Sequence, residues 1–431
     1  MNKPTFPQDY VFWNIRSPSN EKLTKNITTD VLIVGGGIAG LSAAQNFNEK
    51  KLSVVLIEKN FCGSGASGRS SGFITPDSEL GLGYFVDQFG EIQAKKIWDF
   101  GTLGANLIEN NIKKFSINCD YQKQDVLVVA NSDKAFNELK EDNEIYKKLS
   151  FANKLYEKND LSRIIGSDKY FGGITFPNTF GINCYQYCQK MKEILQQRGV
   201  KIYENTPAIK INNDNVETDS AKINAKYIVV CVDRFLPELN KLKSDVYQAQ
   251  TFLMISEPLQ ENEIKKIFPE KNYMVWDTDL IYQYYRIVDG NRFLIGGSDL
   301  LAIFSGREQH NLKRMYKKLN KYTKEKFPDV KINFEYMWPG LIGTSKDVMP
   351  VACADENNEN IYYVSCAAGL PWAAALGWYS AEKLINKHND LDKYFSPRRK
   401  YPVPDFVQKI LGKRITFSLS NFINLYFKNL P

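Results

Sequence analysis

A glycine motif between two apolar runs constrains the fold of this chain more than any other feature. Residues 31–34, VLIV, form a short run rich in valine and isoleucine, which is typical of a buried parallel strand. The run passes directly into Gly35, Gly37 and Gly40, spaced as GxGxxG, and a helical pattern follows. A second apolar run ends at Glu58. Together these segments predict a βαβ unit at the start of an α/β domain.

Each glycine of the motif has a physical role in binding a dinucleotide. Gly35 allows a tight turn out of the strand, Gly37 lets the backbone approach a pyrophosphate, and Gly40 lets the helix pack closely on the sheet. The free N–H groups at the start of the helix then face the pyrophosphate. Glu58 can accept hydrogen bonds from a ribose 2′-hydroxyl, which favours FAD or NAD over NADP.

The loop after Glu58 separates FAD from NAD. Residues 59–73 are rich in glycine and serine and carry one arginine, Arg69. Backbone N–H groups and short hydroxyls could line the phosphates and ribityl chain of an extended cofactor. A nicotinamide enzyme needs no such loop at this place, so the sequence predicts FAD. A flexible surface loop without a ligand is the alternative.

Length and composition indicate an ordinary globular protein. The chain has 431 residues, which predicts two or three domains, and 43% of them are hydrophobic and 24% charged. The net charge is 56 − 49 = +7 without a basic stripe, so we expect no nucleic-acid partner. The N-terminus has no apolar signal segment, and the seven cysteines are sparse and odd in number. These features predict reduced thiols and a cytoplasmic location.

Histidine and cysteine usage argues against a metal site. The sequence has two histidines, His310 and His388, and both stand in polar stretches. Cys184 and Cys188 lie one turn apart on a predicted helix, but neither a second cysteine pair nor a histidine stands nearby. We therefore expect no metal and read these cysteines as core residues.

Several motifs make the sequence similar to a known family. They are DVLIVGGGIAGLSAA from Asp30, IEK from Ile57, GSGASGRSSGF from Gly63 and YYRIVDGNRFLIGGSD from Tyr284. They resemble the D-amino-acid oxidase superfamily of FAD-dependent oxidoreductases, closest in pattern to the gamma-glutamylputrescine oxidoreductase and glycine-sarcosine oxidase branch. The resemblance covers roughly residues 10–390 and implies FAD as the cofactor. No cysteine aligns with the covalent flavin position of the family, so noncovalent FAD is expected.

The motifs and the resemblance together predict a set of cofactor-binding residues. The expected set is Gly35, Gly37, Ile38, Ala39, Gly40, Glu58, Lys59, Gly65, Ala66, Ser67, Arg69, Ser71, Gly72, Ala208, Gly340, Gly369, Leu370, Pro371 and Trp372. In the family, the residue matching Ala208 offers its backbone to the adenine ring. Pro371 fits the first position of a helix whose free N–H groups face the flavin.

The expected architecture is α/β, with a Rossmann-like FAD-binding domain and a second α+β substrate domain built on a mostly antiparallel sheet. We assign residues 28–90, 155–240 and 345–390 to the FAD-binding domain, and 91–154 and 241–344 to the substrate domain. Asp289-Gly290 between two apolar runs predicts a hairpin in the second sheet.

Ile342 is the most informative departure from the family. Glycine-oxidase-like members carry an arginine there, whose guanidinium holds a substrate carboxylate, and isoleucine cannot do so. The pattern resembles instead the gamma-glutamylputrescine oxidoreductase branch, where this position is apolar. Arg286 could supply a carboxylate clamp from the second sheet, and a cross-strand ion pair is the alternative role. We expect Tyr284, Arg286 and Trp338 to line the substrate pocket as the catalytic residues.

The resemblance implies oxidation of the C–N bond of an amine or amino acid. A hydride passes to flavin N5, and the imine that results is hydrolysed. One alternative is an amino-acid or N-methyl-amino-acid oxidase that clamps the carboxylate with Arg286. An alternative of another class is a non-catalytic flavin-bearing binding protein, because Ala367 and Ala368 replace a glycine-histidine pair of the family. The electron acceptor is oxygen or an unidentified molecule.

Residues 391–431 read as a basic amphipathic extension. Apolar residues recur every three or four positions, with Lys409, Lys413, Arg414 and Lys428 between them. The pattern favours a helix packed on its own or a sister subunit, and weak contact with a membrane surface is the alternative.

Overall fold

The computed structural model describes residues 11–13, 20–77, 79–279, 281–303, 312–367, 369–388, 390–401 and 405–426. The strands are β1 (Ile27–Val34), β2 (Val54–Ile57), β3 (Phe73–Ile74), β4 (Gln122–Lys123), β5 (Val126–Val129), β6 (Lys154–Glu157), β7 (Gly172–Phe176), β8 (Phe180–Gly181), β9 (Lys201–Tyr203), β10 (Ala208–Ile211), β11 (Asn215–Thr218), β12 (Lys222–Val230), β13 (Tyr247–Pro258), β14 (Met274–Asp277), β15 (Tyr284–Val288), β16 (Arg292–Ile303), β17 (Phe334–Thr344), β18 (Val351–Ala354) and β19 (Ile361–Ser365). The helices are α1 (Ile38–Glu49), α2 (Leu82–Phe89), α3 (Glu91–Phe115), α4 (Asp133–Lys148), α5 (Lys158–Ile164), α6 (Cys184–Gln197), α7 (Glu261–Ile267), α8 (Leu312–Lys326), α9 (Leu370–Asn386), α10 (Asp392–Phe395) and α11 (Asp405–Tyr426).

The first sheet contains the predicted βαβ unit. Its order is β10-β11-β12-β1-β2-β9, with β19 paired to β12 and β18 paired to β19. Strand β1 runs parallel to both β2 and β12, and its residues Val31, Leu32 and Ile33 are fully buried. Helix α1 packs against α9 so closely that a Cβ on Gly377 would lie 2.0 Å from the Ala39 carbonyl oxygen. The apolar run therefore forms a strand buried on both faces, as predicted.

The second sheet has the order β17-β13-β16-β15-β14-β5-β7-β6. Its neighbours are antiparallel except for β5 and β14, which run parallel. Strands β15 and β16 form the predicted hairpin, because Asp289 has φ 50° and Gly290 has φ 76° at the turn. Positive φ at both central residues matches the twist of the paired strands. The prediction of a Rossmann-like domain with a mostly antiparallel second sheet is confirmed.

The structure draws the domain boundaries differently from the sequence prediction. Strands β6 and β7, within the predicted cofactor segment 155–240, pair with β5 in the second sheet. Helix α3, within the predicted substrate segment 91–154, packs on α9 of the cofactor domain. A Cβ on Gly104 would lie 1.8 Å from the Pro371 carbonyl oxygen, so the glycine permits this close contact. Strand pairing and helix packing thus cross the predicted boundaries, and the division of the chain into domains stays a prediction.

The C-terminal segment is attached to the first domain by one buried arginine. The Arg399 guanidinium donates two hydrogen bonds to the Asp347 carboxylate, at 2.7 and 2.8 Å, and others to the carbonyl oxygens of Met349 and Pro350. The side chains of this ion pair are 7% and 6% exposed. The two charges therefore compensate each other through direct hydrogen bonds, with little contact with water.

Helix α11 follows and is interrupted at Gly412, which has φ 75°. Gln408 and Lys413 donate to the carbonyl oxygens of Ser244 and Val246, so the helix lies against its own subunit. Large apolar side chains along the helix remain exposed, namely Phe406, Ile410, Leu411, Ile415 and Leu419. Among the described residues, no helix combines the length and apolar character needed to cross a membrane. Contact with a membrane surface remains a prediction.

The Arg399 contacts generate a stability prediction. Replacing Arg399 with methionine leaves the Asp347 carboxylate buried without its partner, so we expect the free energy of unfolding to fall by about 3–5 kcal/mol. Arg398→Met is the matched control, because Arg398 is exposed and pairs with Glu356 on the surface. The control should change the free energy by about 1 kcal/mol or less. Urea unfolding followed by circular dichroism measures both values, and equal effects would contradict this role of Arg399.

Candidate cofactor and substrate site

The glycine motif builds a cradle at the carboxyl end of β1. Gly35 has φ 108°, and a Cβ on Gly40 would lie 1.9 Å from the Gly35 carbonyl oxygen. Gly37 occupies the N-cap of α1 and contributes no side-chain cap. The helix therefore starts directly against the strand. The Ile38 N–H donates to the Ser67 hydroxyl at 3.1 Å, and the N–H groups that follow it in the first turn can serve an anion.

Glu58 closes one side of this cradle. Its carboxylate accepts hydrogen bonds from the backbone N–H groups of Gly36 at 2.8 Å and Asn60 at 2.9 Å. Burial raises the pKa of the Glu58 carboxyl, while these two donors act in the opposite direction. The carboxylate lines the cavity beside Gly35 and Gly37. This position suits an acceptor for a ribose hydroxyl, because the second strand ends here.

A single cavity of about 1500 Å³ extends from the cradle to the second sheet. Ordinary small-molecule pockets reach about 1000 Å³, so this cavity has room for a dinucleotide and a substrate together. The starts of both α1 and α9 open into it. Gly369, the N-cap of α9, has φ 142° and contributes no side-chain cap. Two helix starts and a backbone-lined cradle fit the diphosphate and flavin ends of FAD.

Cationic side chains mark the end of the cavity beside β10. The Lys59 ammonium lies 3.4 Å from the centre of the Phe235 ring, and the Arg234 guanidinium lies 4.0 Å from it. Ala208 lines the cavity near these side chains. The arrangement gives this end a flat aromatic surface and positive charge, which suit a nucleotide.

The structure brings most of the predicted cofactor residues to the cavity wall. The residues that line it are Gly35, Gly37, Ile38, Ala39, Glu58, Lys59, Gly65, Ala66, Ser67, Arg69, Ser71, Ala208, Gly340, Gly369, Leu370 and Pro371. Gly40 and Gly72 act behind the wall, where each permits a close approach of backbone to backbone. Their contribution to cofactor binding remains a prediction.

Two predicted tryptophans are core residues instead. Trp372 is fully buried among Phe85, Phe100 and Phe395, and its indole donates to the Pro76 carbonyl oxygen at 3.1 Å. Trp338 is also fully buried, and its indole donates to the Arg69 carbonyl oxygen at 3.1 Å. Neither ring lines the cavity, so the expected direct contacts with cofactor and substrate do not fit. Trp338 supports the cofactor loop from behind.

Arg286 does not fit the carboxylate clamp expected from the sequence. Its side chain is fully buried, and its guanidinium donates to the carbonyl oxygens of Ser71 and Ile182, both at 2.8 Å. A third contact joins it to the Gln124 side chain at 3.3 Å. The cross-strand ion pair is also absent among the described residues, since these partners are neutral. Burial lowers the pKa of Arg286 to about 10. The arginine fixes the cofactor loop onto the second sheet.

Tyr284 is the predicted catalytic residue that reaches the cavity. It stands opposite Gly296 on β16, and a Cβ on that glycine would lie 2.3 Å from the tyrosine ring. The missing side chain therefore lets the ring lie flat against the neighbouring strand. Burial raises the pKa of Tyr284, and the nearby Glu79 carboxylate acts in the same direction. The phenol stays protonated at neutral pH and can donate a hydrogen bond.

Phe73 and Glu79 lie near Tyr284 and were not among the residues that the sequence predicted for the substrate pocket. Ring centres lie 5.7 Å apart between Tyr282 and Tyr284, 5.8 Å between Tyr284 and Phe73, and 6.0 Å between Phe73 and Trp276. Glu79 accepts a hydrogen bond from the Tyr282 hydroxyl at 2.9 Å. A usable signal existed, because residues 73–79 directly follow the glycine-serine loop and contain two acids, Asp77 and Glu79.

One carboxylate connects the two domains beside the cavity. Asp233, with φ 48°, accepts hydrogen bonds from the backbone N–H groups of Gly343 at 2.7 Å and Cys366 at 3.0 Å. A Cβ on Gly343 would lie 2.4 Å from the Asp233 carboxylate. Strand β17 of the second sheet and the segment that leads into α9 are thus held by one side chain.

The described residues contain no cluster of side chains suited to a metal ion. Cys184 and Cys188 are buried free thiols in the core, and Cys188 lies against Gly63 of the cofactor loop. His388 is exposed and lies 3.1 Å from Asp390. His310 and Ala368 lie outside the described residues.

Comparison with known proteins agrees with this geometry. A family model described as FAD dependent oxidoreductase matches residues 30–383. The chain is 28% identical over 361 residues to gamma-glutamylputrescine oxidoreductase of Escherichia coli strain K12, with 81% of each chain covered. It is 26% identical over 339 residues to the probable oxidoreductase OrdL of Haemophilus influenzae, with 76% of each chain covered.

Among solved structures, glycine oxidase from Geobacillus kaustophilus shares the fold, with a TM-score of 0.74. The match covers 86% of this chain and 99% of that chain at 16% sequence identity.

The glycine cradle can be tested by two substitutions that separate packing from cofactor contact. Gly40→Ala places a methyl group against the Gly35 carbonyl, so we expect lower thermal stability and loss of bound FAD. Gly37→Ala meets a single side-chain oxygen, that of Ser67 at 3.1 Å. It should retain the fold while the Kd for FAD rises by about tenfold or more. Fluorescence titration with FAD and thermal unfolding measure the two effects, and unchanged FAD affinity in both variants would contradict the cradle.

Asp77 gives a prediction about pH. Burial raises the pKa of its carboxyl to about 7, while a hydrogen bond from Thr75 opposes the shift. Because the carboxyl ionises less readily in the folded protein than in the unfolded chain, its ionisation destabilises the fold as the pH rises from the unfolded pKa to about 7. The Asp77→Asn variant has no such group. Its free energy of unfolding, relative to that of the parent protein, should therefore be higher at pH ~8 than at pH ~5 by about 1–2 kcal/mol, a value reduced for solvent in the cavity. Urea unfolding at both pH values tests this, and a pH-independent difference would contradict it.

Proposed function

The chain belongs to the family of FAD-dependent oxidoreductases of the amine and amino-acid oxidase type, and we propose that its substrate is an amine without a carboxylate beside the reacting nitrogen. The supporting observation is the substrate end of the cavity. Ile342 lines the cavity with an apolar side chain, and the Arg286 guanidinium donates its hydrogen bonds to backbone carbonyl groups. A carboxylate there would lack the bidentate partner that amino-acid recognition usually requires.

The described cations of the cavity wall do not supply that partner. They are Lys59, Arg69 and Arg234. Lys59 and Arg234 both lie over Phe235 at the opposite end. Arg69 belongs to the cofactor loop, close to Ser67, whose hydroxyl accepts from the Ile38 N–H at the start of α1, so it lies on the cofactor side of the cavity. An uncharged or cationic amine is therefore the substrate that this end of the cavity accepts at the lowest electrostatic cost.

The proposed reaction is a two-electron oxidation of a carbon–nitrogen single bond to an imine. The carbon beside the nitrogen loses a hydride, the nitrogen loses a proton, and the single bond becomes an imine. Bound FAD supplies the two-electron acceptor for this hydride. Water then adds to the imine, and cleavage of the C–N bond gives a carbonyl compound and a free amine.

The chain contributes position and environment to this reaction. The substrate nitrogen must be neutral when it reacts, because its lone pair forms the new bond. Tyr284, protonated at neutral pH, can donate a hydrogen bond to the substrate or orient it against the ring. The rings of Phe73 and Trp276 stack on each other in the cavity wall and offer an apolar surface to the carbon chain of the substrate.

The experiment is an anaerobic reduction of the FAD-loaded protein by a panel of primary amines, gamma-glutamylputrescine and α-amino acids. We expect amines to bleach the flavin absorbance faster than α-amino acids of similar length. Bleaching by α-amino acids alone would refute the proposal. Admitting air after reduction then shows whether oxygen accepts the electrons, because rapid return of the absorbance identifies an oxidase.

A substitution sharpens this test. Ile342→Arg adds a guanidinium where a carboxylate clamp could act, so kcat/KM for small α-amino acids should rise by about tenfold relative to amines. Ile342→Leu is the matched control and should leave the ratio unchanged. If Ile342→Arg lowers kcat/KM equally for amines and for α-amino acids while the flavin remains bound, the position does not control carboxylate recognition.

A further inference from the structure

The substrate end of the cavity carries a concentration of carboxylates. The acids that line this end are Asp77, Glu79, Asp87, Glu138, Glu141, Asp142, Asp277 and Asp279. They come from the segment after β3, from helices α2 and α4, and from the turn after β14, so the negative charge surrounds the space from several elements. This arrangement creates a negative potential inside a concave wall, which attracts cations.

Glu79 is the carboxylate that contacts the aromatic rings beside Tyr284. The Tyr282 hydroxyl donates to its two oxygens at 2.9 and 3.1 Å, and the Tyr282 ring in turn lies 5.7 Å from the Tyr284 ring. No described lysine or arginine forms an ion pair with Glu79 or with Asp77. Desolvation by the surrounding protein raises the pKa of both carboxyls. A cation bound beside them would favour their ionised forms, which no described lysine or arginine does by an ion pair.

Aromatic rings connect this carboxylate to the flavin side of the cavity. Tyr282, Tyr284, Phe73 and Trp276 form a continuous row in which each ring contacts the next. All four line the cavity and are partly exposed to it. Ring faces attract ammonium groups and pack against methylene chains. A row of rings that ends at a carboxylate thus matches an alkyl chain that ends in a cation.

We propose that the substrate is a diamine or polyamine, whose remote ammonium binds Glu79 beside Tyr282 while the amine at the other end of its alkyl chain is oxidised. This inference rests on the proposed amine oxidation and adds the group that the site recognises at a distance. Asp77 and Asp142 extend the negative wall behind Glu79, since both carboxylates act on the buried Tyr146 phenol. A longer polyamine can place its further ammonium groups along this wall.

The test compares three substrates with the same four-carbon chain. Putrescine carries a remote ammonium, n-butylamine a methyl group and gamma-aminobutyrate a carboxylate. With the FAD-loaded protein, we expect kcat/KM for putrescine to exceed that for n-butylamine by about tenfold or more, with gamma-aminobutyrate the poorest. Equal values for putrescine and n-butylamine, or a preference for gamma-aminobutyrate, would overturn the inference.

Substitution of Glu79 identifies the recognising group. Glu79→Gln keeps the size of the side chain and its contact with Tyr282. We therefore expect kcat/KM for putrescine to fall to the value for n-butylamine, while kcat/KM for n-butylamine changes by less than about twofold. Glu144→Gln is the matched control, because Glu144 is exposed on α4, pairs with Lys147 and lies outside the cavity wall. Glu144→Gln should leave kcat/KM unchanged for both substrates. Equal loss for both substrates in Glu79→Gln would show that Glu79 is structural.

A second variant keeps the inference testable if Glu79→Gln does not fold. Tyr282→Phe retains the ring and removes the hydroxyl that positions Glu79, so KM for putrescine should rise several-fold and KM for n-butylamine should not change. An equal rise for both substrates would overturn the inference. Failure of the proposed function has a different signature, because then none of the three amines bleaches the flavin in the parent protein while an α-amino acid does.

Discussion

The carboxylate of Asp233 is the contact on which the site as a whole depends. It joins strand β17 of the second sheet to the segment before α9, and both lie beside the cavity. The cofactor cradle comes from the first domain and the aromatic row from the second, so their distance is set where the domains are joined. Both donors to the buried Asp233 carboxylate are backbone N–H groups, so the junction is held by rigid backbone rather than by a second, flexible side chain.

Much of the fold was predictable from local sequence patterns. The βαβ unit follows from an apolar run, a glycine turn and a helical period, and the β15–β16 hairpin follows from Asp289-Gly290. The placement of β6, β7 and α3 was not predictable in this way. Short strands carry the same apolar residues whichever sheet they join, and the contact of α3 with α9 depends on glycines that read as ordinary helix interruptions. Domain membership is therefore a property of pairing between distant segments.

The candidate site likewise contains residues that local sequence patterns predict and residues whose position depends on distant contacts. Glycines of the cradle were identifiable because their role is set by the backbone and by spacing. Residue type and family position led to the assignment of Arg286, Trp338 and Trp372 to the site. Neither criterion shows whether a side chain on a strand or helix faces the cavity or the core. In each case the core orientation prevails, because a neighbouring carbonyl oxygen accepts the polar hydrogen. Glu79 and Asp77 were not predicted, although their position directly after the glycine-serine loop was a usable signal, because acids in a loop are most often ordinary surface residues.

The thiols around the cofactor cradle have a consequence for the lifetime of the protein. Cys62, Cys184 and Cys188 are buried next to the loop that holds the cofactor, and burial raises the pKa of each thiol, that of Cys184 to about 11. Peroxide attacks thiolates, and these sulfurs stay protonated and shielded at neutral pH. A flavin that reacts with oxygen releases peroxide beside its own binding site. Wherever oxygen accepts the electrons, a cradle packed with protonated, shielded thiols loses less of its sulfur to oxidation than one with exposed thiolates would.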